Sequence, residues 1–160
     1  NRQIDEGVFA ATRDPWQPMA DPPRLEVPPA LDFTPLDSAL ARLGRSAASY
    51  DDQAARRSDT SAASGGSDRA AVLREVNAKL MATERTLTRD DGLPGRPWYR
   101  HQIYAPGFYT GYGVKTLPGV REAIEERRWD EAREQITRLA EVLDSAATAI
   151  DDAGTALRRL

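Results

Sequence analysis

The 160-residue chain contains no cysteine and one histidine, His101. Disulfides, thiolate metal sites and cysteine nucleophiles are therefore excluded, and the redox compartment stays open. A single histidine is too few for an all-protein zinc site of the usual His-rich kind within one copy, so no metal site is expected in this chain. The formal charge is −3 and no run of Lys or Arg is longer than two residues, which leaves no footprint for a phosphate backbone; nucleic acid is not expected as a partner. No apolar run approaches the roughly 20 residues that span a bilayer, and Asn1 opens no charged-then-apolar signal segment. A soluble piece without membrane contact is expected, from a parent that could still be exported. A Ser-His-Asp arrangement around His101 lacks any G-x-S-x-G or comparable nucleophile turn. The ring reads instead as packed beside Tyr99 and Tyr104, its nitrogens holding loop backbone groups.

What is present points to one helical domain with a real core. Six of the eleven prolines lie in residues 1–29, at Pro15, Pro18, Pro22, Pro23, Pro28 and Pro29. Neither a helix nor a central strand tolerates that density, so residues 1–30 are expected to form an extended proline-rich arm anchored by Val8, Phe9 or Trp16. From Asp32 the signal changes. Thr34 reads as the cap of a helix with Pro35 at its first position, and Leu36, Leu40, Leu43, Ala47 and Tyr50 recur every three or four residues to an end between Tyr50 and Arg57. Residues 58–67 (SDTSAASGGS) read as a flexible connector. A second helix, capped by Ser67 or Asp68, carries Val72 or Leu73, Val76, Leu80, Thr83 and Leu87 on one face. Pro118 starts a short helix bearing Val120 and Ile124. Asp130 reads as the cap of the longest helix, whose seam is Ile136, Leu139, Leu143, Ala146, Ile150, Ala153 and Leu157. A seam that long must be covered along its length, and three other helices are available to cover it. The fold class expected is all-α, a four-helix bundle with a long, ordered, aromatic- and Gly/Pro-rich crossover between the second and third helices. The charged run 121–138 reads as a solvated face.

That crossover, residues 89–119, holds six of the eleven aromatic residues and six of the eleven glycines. A loop so long, without a helical or strand period of its own, is usually functional or disordered, and its aromatic content argues for order. Tyr99, Ile103 and Tyr104 are expected to face the helices and Tyr112 to point outward, with Gly107, Gly111 and Gly113 permitting the turns. Glu84 and Arg85 lie close to the apolar Leu80 and Leu87 and read as anchors of the loop, for instance Glu84 paired with Arg96 or Arg100.

The spacing L-M-x-x-E-R over 80–85, G-L-P-x-R-P-x-Y-R-H-x-I-Y-A-P over 92–106, and P-G at Pro118 and Gly119 resembles the C-terminal helical domain of the glutamate carboxypeptidase II and transferrin receptor family, the transferrin receptor-like dimerisation domain. The resemblance implies a part of a larger protein, residues 31–160 being the helical domain. By the same resemblance that part is expected to be non-catalytic, to form a homodimer, to contact the parent's catalytic domain, and to complete the pocket for a peptide substrate's C-terminal residue. It also implies zinc, bound by a catalytic domain that this chain lacks, and an extracytoplasmic or secreted setting. The loop-anchoring residues are then Glu84, Arg85, Arg100, His101 and Tyr104. The family pattern Y-A-P-S-S-H-N-K-Y-A-G meets Y-A-P-G-F-Y-T-G-Y-G-V over 104–114. Tyr112 falls on the tyrosine that contacts the substrate carboxylate, Gly111 replaces the lysine and Thr110 the asparagine. A glycine supplies no positive charge, so either the parent accepts residues other than acidic ones or another domain supplies the charge. Two other readings stay open: a receptor-like homologue that has lost peptidase activity, and a free-standing helical interaction module, which the lack of a repeat at a period near 34 residues disfavours.

Overall fold

In the computed structural model, which describes residues 1–17, 19–60 and 67–160, the chain divides into two units, residues 1–30 and 31–160. The first holds two single-turn helices, α1 (Arg2–Asp5) and α2 (Val8–Ala11). This differs from the extended arm expected there, because the prolines begin only at Pro15 and leave the first fourteen residues free to turn. The segment also folds back on itself. The Asn1 side chain donates to the Leu25 carbonyl at 2.6 Å and accepts from the Leu25 N–H at 2.9 Å, Arg24 pairs with Asp5, and Arg13 with Asp21. Trp16 stays exposed.

The second unit runs α3 (Thr34–Thr60), α4 (Ser67–Thr86), a hairpin of β1 (Tyr104–Pro106) and β2 (Val114–Thr116), α5 (Pro118–Glu125) and α6 (Trp129–Leu157). It is mostly helical, and its organising element is α6, some 40 Å long at about 1.5 Å per residue. α3 lies parallel to it, since Arg42 reaches Asp144 and Thr148 while Arg57 reaches the Arg158 carbonyl. α4 lies antiparallel, with Glu75, near its middle, on Arg159 and Arg89, just past its end, on Glu141. α5 crosses the first half of α6.

Three apolar clusters follow one another along α6. Val120, Ile136 and Leu139 pack with Leu31, Leu36, Ile103, Leu117 and Ile124. Ala39, Ala140 and Leu143 pack with Leu36, Leu43 and Ile103. Val76, Ala156 and Leu157 pack with Tyr50, Ala54, Val72, Leu80 and Leu160. The buried stripe of α6 is wider than the seam read from its sequence, taking in Ala132, Val142 and Ala147, because neighbours lie on more than one flank and alanine lets them come close.

The helix ends differ in detail from the sequence reading. α3 continues to Thr60. Its first N–H groups are met from outside: Asp32 Oδ1 accepts from the Thr34 N–H at 2.9 Å, so Asp32, not Thr34, supplies the capping oxygen. At α6 the cap position is Arg128, and Asp130 sits with Glu131 inside the first turn, where a negative charge still meets the positive helix end. The connector 58–67 lies, from 61 to 66, outside the described residues.

Candidate functional site

The crossover is built as two ribbons. In the first, a Thr88–His101 bridge, the Arg89 N–H donating to the Arg100 carbonyl at 3.0 Å and the Leu93 N–H to the Tyr99 carbonyl at 2.9 Å fold residues 87–102 back on themselves. In the second, Tyr104, Ala105 and Pro106 pair antiparallel with Thr116, Lys115 and Val114. The sequence had shown no strand here, because three-residue strands are too short to display an alternating period. Apolar anchors pin both ribbons: Leu93 is buried, and Ile103 enters two of the clusters along α6.

Between the ribbons lies one buried ion pair. Arg96 and Glu122 are 3% and 8% exposed in their side chains, and Arg96 Nη2 sits between the two carboxylate oxygens at 2.8 and 2.7 Å. Both partners also hold backbone. Arg96 Nη1 donates to the Pro106 carbonyl, and Glu122 Oε1 accepts the Phe108 N–H at 2.8 Å. The guanidinium lies over the rings of Tyr99 and Phe108, 5.5 and 5.6 Å from their centroids. One ion pair thus fixes the chain on each side of Gly107, where the hairpin leaves β1 for its tip.

The tip, residues 107–113, closes on its own hydrogen bonds. The Gly107 N–H donates to the Gly113 carbonyl at 3.0 Å, the Gly113 N–H to the Thr110 carbonyl at 3.2 Å, and Thr110 Oγ1 to the Gly113 carbonyl at 3.2 Å. Of the three tip glycines only Gly111 takes the left-handed conformation, at φ +60°. Gly107 is needed for space instead, since a Cβ there would lie 2.1 Å from Thr110 Oγ1. The tip displays Tyr112, fully exposed at 105%, with Tyr109, Phe108 and Val114 beside it at 77%, 49% and 72%.

The residues singled out in the sequence fall at both ends of this hairpin. Thr110, Gly111 and Tyr112 are together at the tip. His101, Glu84 and Tyr104 meet at its base: His101 Nδ1 accepts the N–H groups of Ile103 and Tyr104 at 3.2 and 3.3 Å, its Nε2 lies 3.2 Å from Glu84, and its ring stacks on Tyr104 at 4.1 Å. Two accepted N–H groups at Nδ1 leave the proton on Nε2, facing the carboxylate. Arg85 contributes its carbonyl to the Thr88 hydroxyl at 2.7 Å.

Several expected contacts are different. Glu84 pairs with His101, not with Arg96 or Arg100; Arg100 meets the exposed Asp90 at 3.2 Å. Of the three residues expected to face the helices, Ile103 does so, while Tyr99 and Tyr104 are partly exposed, at 37% and 50%, and Leu93 is buried instead. The pair that fixes the loop, Arg96 with Glu122, was missed because Glu122 belongs to the charged run read as a solvated face. A signal was available. Glu122 follows Gly119 by three residues and adjoins Ala123, which puts it on the buried face of α5 with Val120.

A second set of charges joins the first ribbon to α6. Arg89 bridges Asp91 at 3.1 Å and Glu141 at 2.9 Å, and Arg138 reaches Asp91 at 2.5 Å. The hydrogen bond from Arg89, helped by the positive charges of Arg89 and Arg138 and opposed by partial burial, holds the Asp91 carboxyl below its usual range. Among the described residues no three His, Cys, Asp or Glu side chains gather into a metal-binding group, and no helix is long and apolar enough to cross a membrane.

Known proteins share this stretch. A probable glutamate carboxypeptidase of Arabidopsis thaliana is 42% identical over 82 residues, 47% of this chain and 12% of that protein. A second from the same plant is 27% identical over 121 residues, 75% of this chain and 17% of its own length. A protein of Schizosaccharomyces pombe named an inactive zinc metalloprotease is 34% identical over 74 residues, 46% of this chain and 9% of its own. The chain therefore spans only a small part of the length of these relatives. Residues 31–151 match the transferrin receptor-like dimerisation domain, over α3 to α6 and the hairpin between them, and the chain belongs to that family.

Proposed function

We propose that this chain is the non-catalytic dimerisation and pocket-completing domain of a glutamate carboxypeptidase-like zinc metallopeptidase. In this reading residues 31–160 form a four-helix bundle whose outer surface meets a second copy and the parent's catalytic domain, and residues 1–30 are an arm that precedes it. The hairpin tip closes the pocket for the C-terminal residue of a peptide substrate. Tyr112 donates its phenol proton to the substrate carboxylate, with Thr110 and Gly111 beside it. Glu84, Arg85, Arg100, His101 and Tyr104 hold the base from which the tip projects.

The observation that carries this reading is a contrast within a few residues. Tyr112 is wholly uncovered, yet the strand leading to it is tied at Pro106 and Phe108 to a buried ion pair. An aromatic ring on a rigid support, left without cover, suits a group that another surface covers. The zinc of this reading belongs to the catalytic domain. The residues here do not fit it, since His101 is the only histidine and both its nitrogens face protein partners. What the tip contributes is orientation of the substrate and exclusion of water.

Two measurements test the proposal. In the full-length protein, Tyr112→Phe removes one hydroxyl; a hydrogen bond to a carboxylate is worth about 1.5–3 kcal/mol, so kcat/KM should fall roughly one to two orders of magnitude with melting unchanged. Unchanged kinetics would return Tyr112 to a packing role. A self-interface of at least about 1,200 Å² should give dimer mass in sedimentation, and a strict monomer at high concentration removes the homodimer from the reading. The relative named an inactive zinc metalloprotease favours a second reading, a parent that has lost peptidase activity. That parent dimerises and hydrolyses no peptide.

A further inference from the structure

We infer that the residue received at this tip is an uncharged, apolar C-terminal side chain, aliphatic or aromatic, rather than an acidic one. The inference rests on the pocket-completing reading above and names the substrate class for that site. From Gly107 to Val114 there is no charged residue. What the tip offers is carbon surface, from Phe108, Tyr109, Tyr112 and Val114, and a few hydroxyls.

The cations nearest in sequence and space do not make up the missing charge, because each is held elsewhere. Lys115, the first after the tip, has its ammonium on Glu125. Arg121 reaches Thr116 Oγ1 at 3.2 Å and Glu125 at 3.9 Å. Arg96 is buried against Glu122 and the Pro106 carbonyl. Arg128 is held by Glu126 and by Glu131 at 2.8 Å. The hollow behind the tip, about 240 Å³, sets Phe108 and Tyr109 beside Glu122, Glu126 and Glu131, with Arg128 the cation in its lining. A carboxylate side chain brought here would give up water and find Arg96 and Arg128 already committed to Glu122, Glu126 and Glu131, three carboxylates against two guanidiniums. An apolar side chain would lose only its contact with water and gain the ring faces. The substrate's α-carboxylate is a separate matter, since a phenol such as Tyr112 can donate to it.

The test uses the full-length protein and N-acetylated dipeptides that differ only in the C-terminal residue: Leu, Phe, Glu or Lys. Equilibrium binding by calorimetry is measured beside kcat/KM, so the comparison is readable in a parent of low activity. The expected result is preference for Leu or Phe over Glu by about ten-fold or more, the scale on which an apolar site discriminates. Thr110→Lys, at an exposed position, should narrow that gap about ten-fold by supplying the missing charge. Gly111→Lys should act likewise; no atom lies within 4 Å of its new Cβ, but φ is +60° there, so its melting is followed as a control. Preference for Glu or Lys, or no preference, overturns the inference while leaving a pocket-completing tip intact. Selectivity that none of the tip variants shifts overturns both, because the tip is then not part of the pocket.

Discussion

The Arg96–Glu122 pair should behave as a unit whose halves are worth more together than apart. Substituting Arg96→Met leaves the Glu122 carboxylate, 8% exposed, with only the Phe108 N–H. Glu122→Met leaves the guanidinium, 3% exposed, with only the Pro106 carbonyl and two ring faces. Breaking a buried pair by removing one partner costs about 3–5 kcal/mol, a large share of the roughly 5–15 kcal/mol that holds a domain folded. The double variant removes both charges. What it loses is the support of the Pro106 carbonyl and the Phe108 N–H, at about 1–3 kcal/mol for each group left unsatisfied, less where water reaches it. The two single losses sum to about 6–10 kcal/mol against about 2–6 for the double, a coupling of a few kcal/mol in a double-mutant cycle. Urea unfolding followed by circular dichroism at pH 7 gives all three values, with the slope expected to stay constant. Hydrogen exchange should show the Phe108 amide losing protection in every variant, while the amides of α6 keep theirs in the double variant. Single variants that cost less than about 1 kcal/mol, or a double variant equal to the sum of the singles, would refute the role given to the pair.

The helices could be read from the sequence because their signals are local. Apolar residues three and four apart on α6, Pro118 at the start of α5 and the Pro/Gly composition of the crossover are each contained within a few turns of chain. The site was legible only in part, and the division follows sequence separation. Tyr112, Thr110 and Gly111 are neighbours, and a motif located them. Arg96 and Glu122 lie 26 positions apart, and neither residue type suggests burial; charged side chains are rarely buried unless paired, and the pairing is created by the fold. Glu84 shows the same limit from the other side. The sequence marked it as an anchor and offered Arg96 or Arg100 as its partner, but the ribbon turning at residues 87–102 brings His101 to it. The hairpin stayed hidden because its strands are three residues long and its strongest tie is a side chain on α5.

Three further outcomes are expected. Protein purified without a histidine tag should carry well below one zinc per chain by elemental analysis, given one histidine and no cysteine; stoichiometric zinc that survives a chelator wash would contradict this. Tyr104→Ala should cost about 1 kcal/mol rather than the 3–5 kcal/mol of a core aromatic, because the ring is half exposed and rests on His101 at 4.1 Å; a loss above about 3 kcal/mol would mean that the ring supports more than the hairpin base. The last concerns acid. The Asp91 carboxyl is held below its unfolded value of 3.8, chiefly by the hydrogen bond from Arg89. A carboxyl lowered in the folded state contributes its full stability above that unfolded value and loses it as pH falls through the lower folded one. The side chain is 47% exposed, so screening keeps the contribution to no more than about 1 kcal/mol. Asp91→Asn should therefore unfold at lower urea than the native chain at pH 7, and the two curves should converge as pH falls below 3.8 and through the lower folded value, where the native carboxyl takes up its proton. A difference that stays constant through the acid range would assign the loss to the shape of the turn at Asp91 rather than to its charge, and would leave Arg89 and Arg138 holding the crossover to α6 without it.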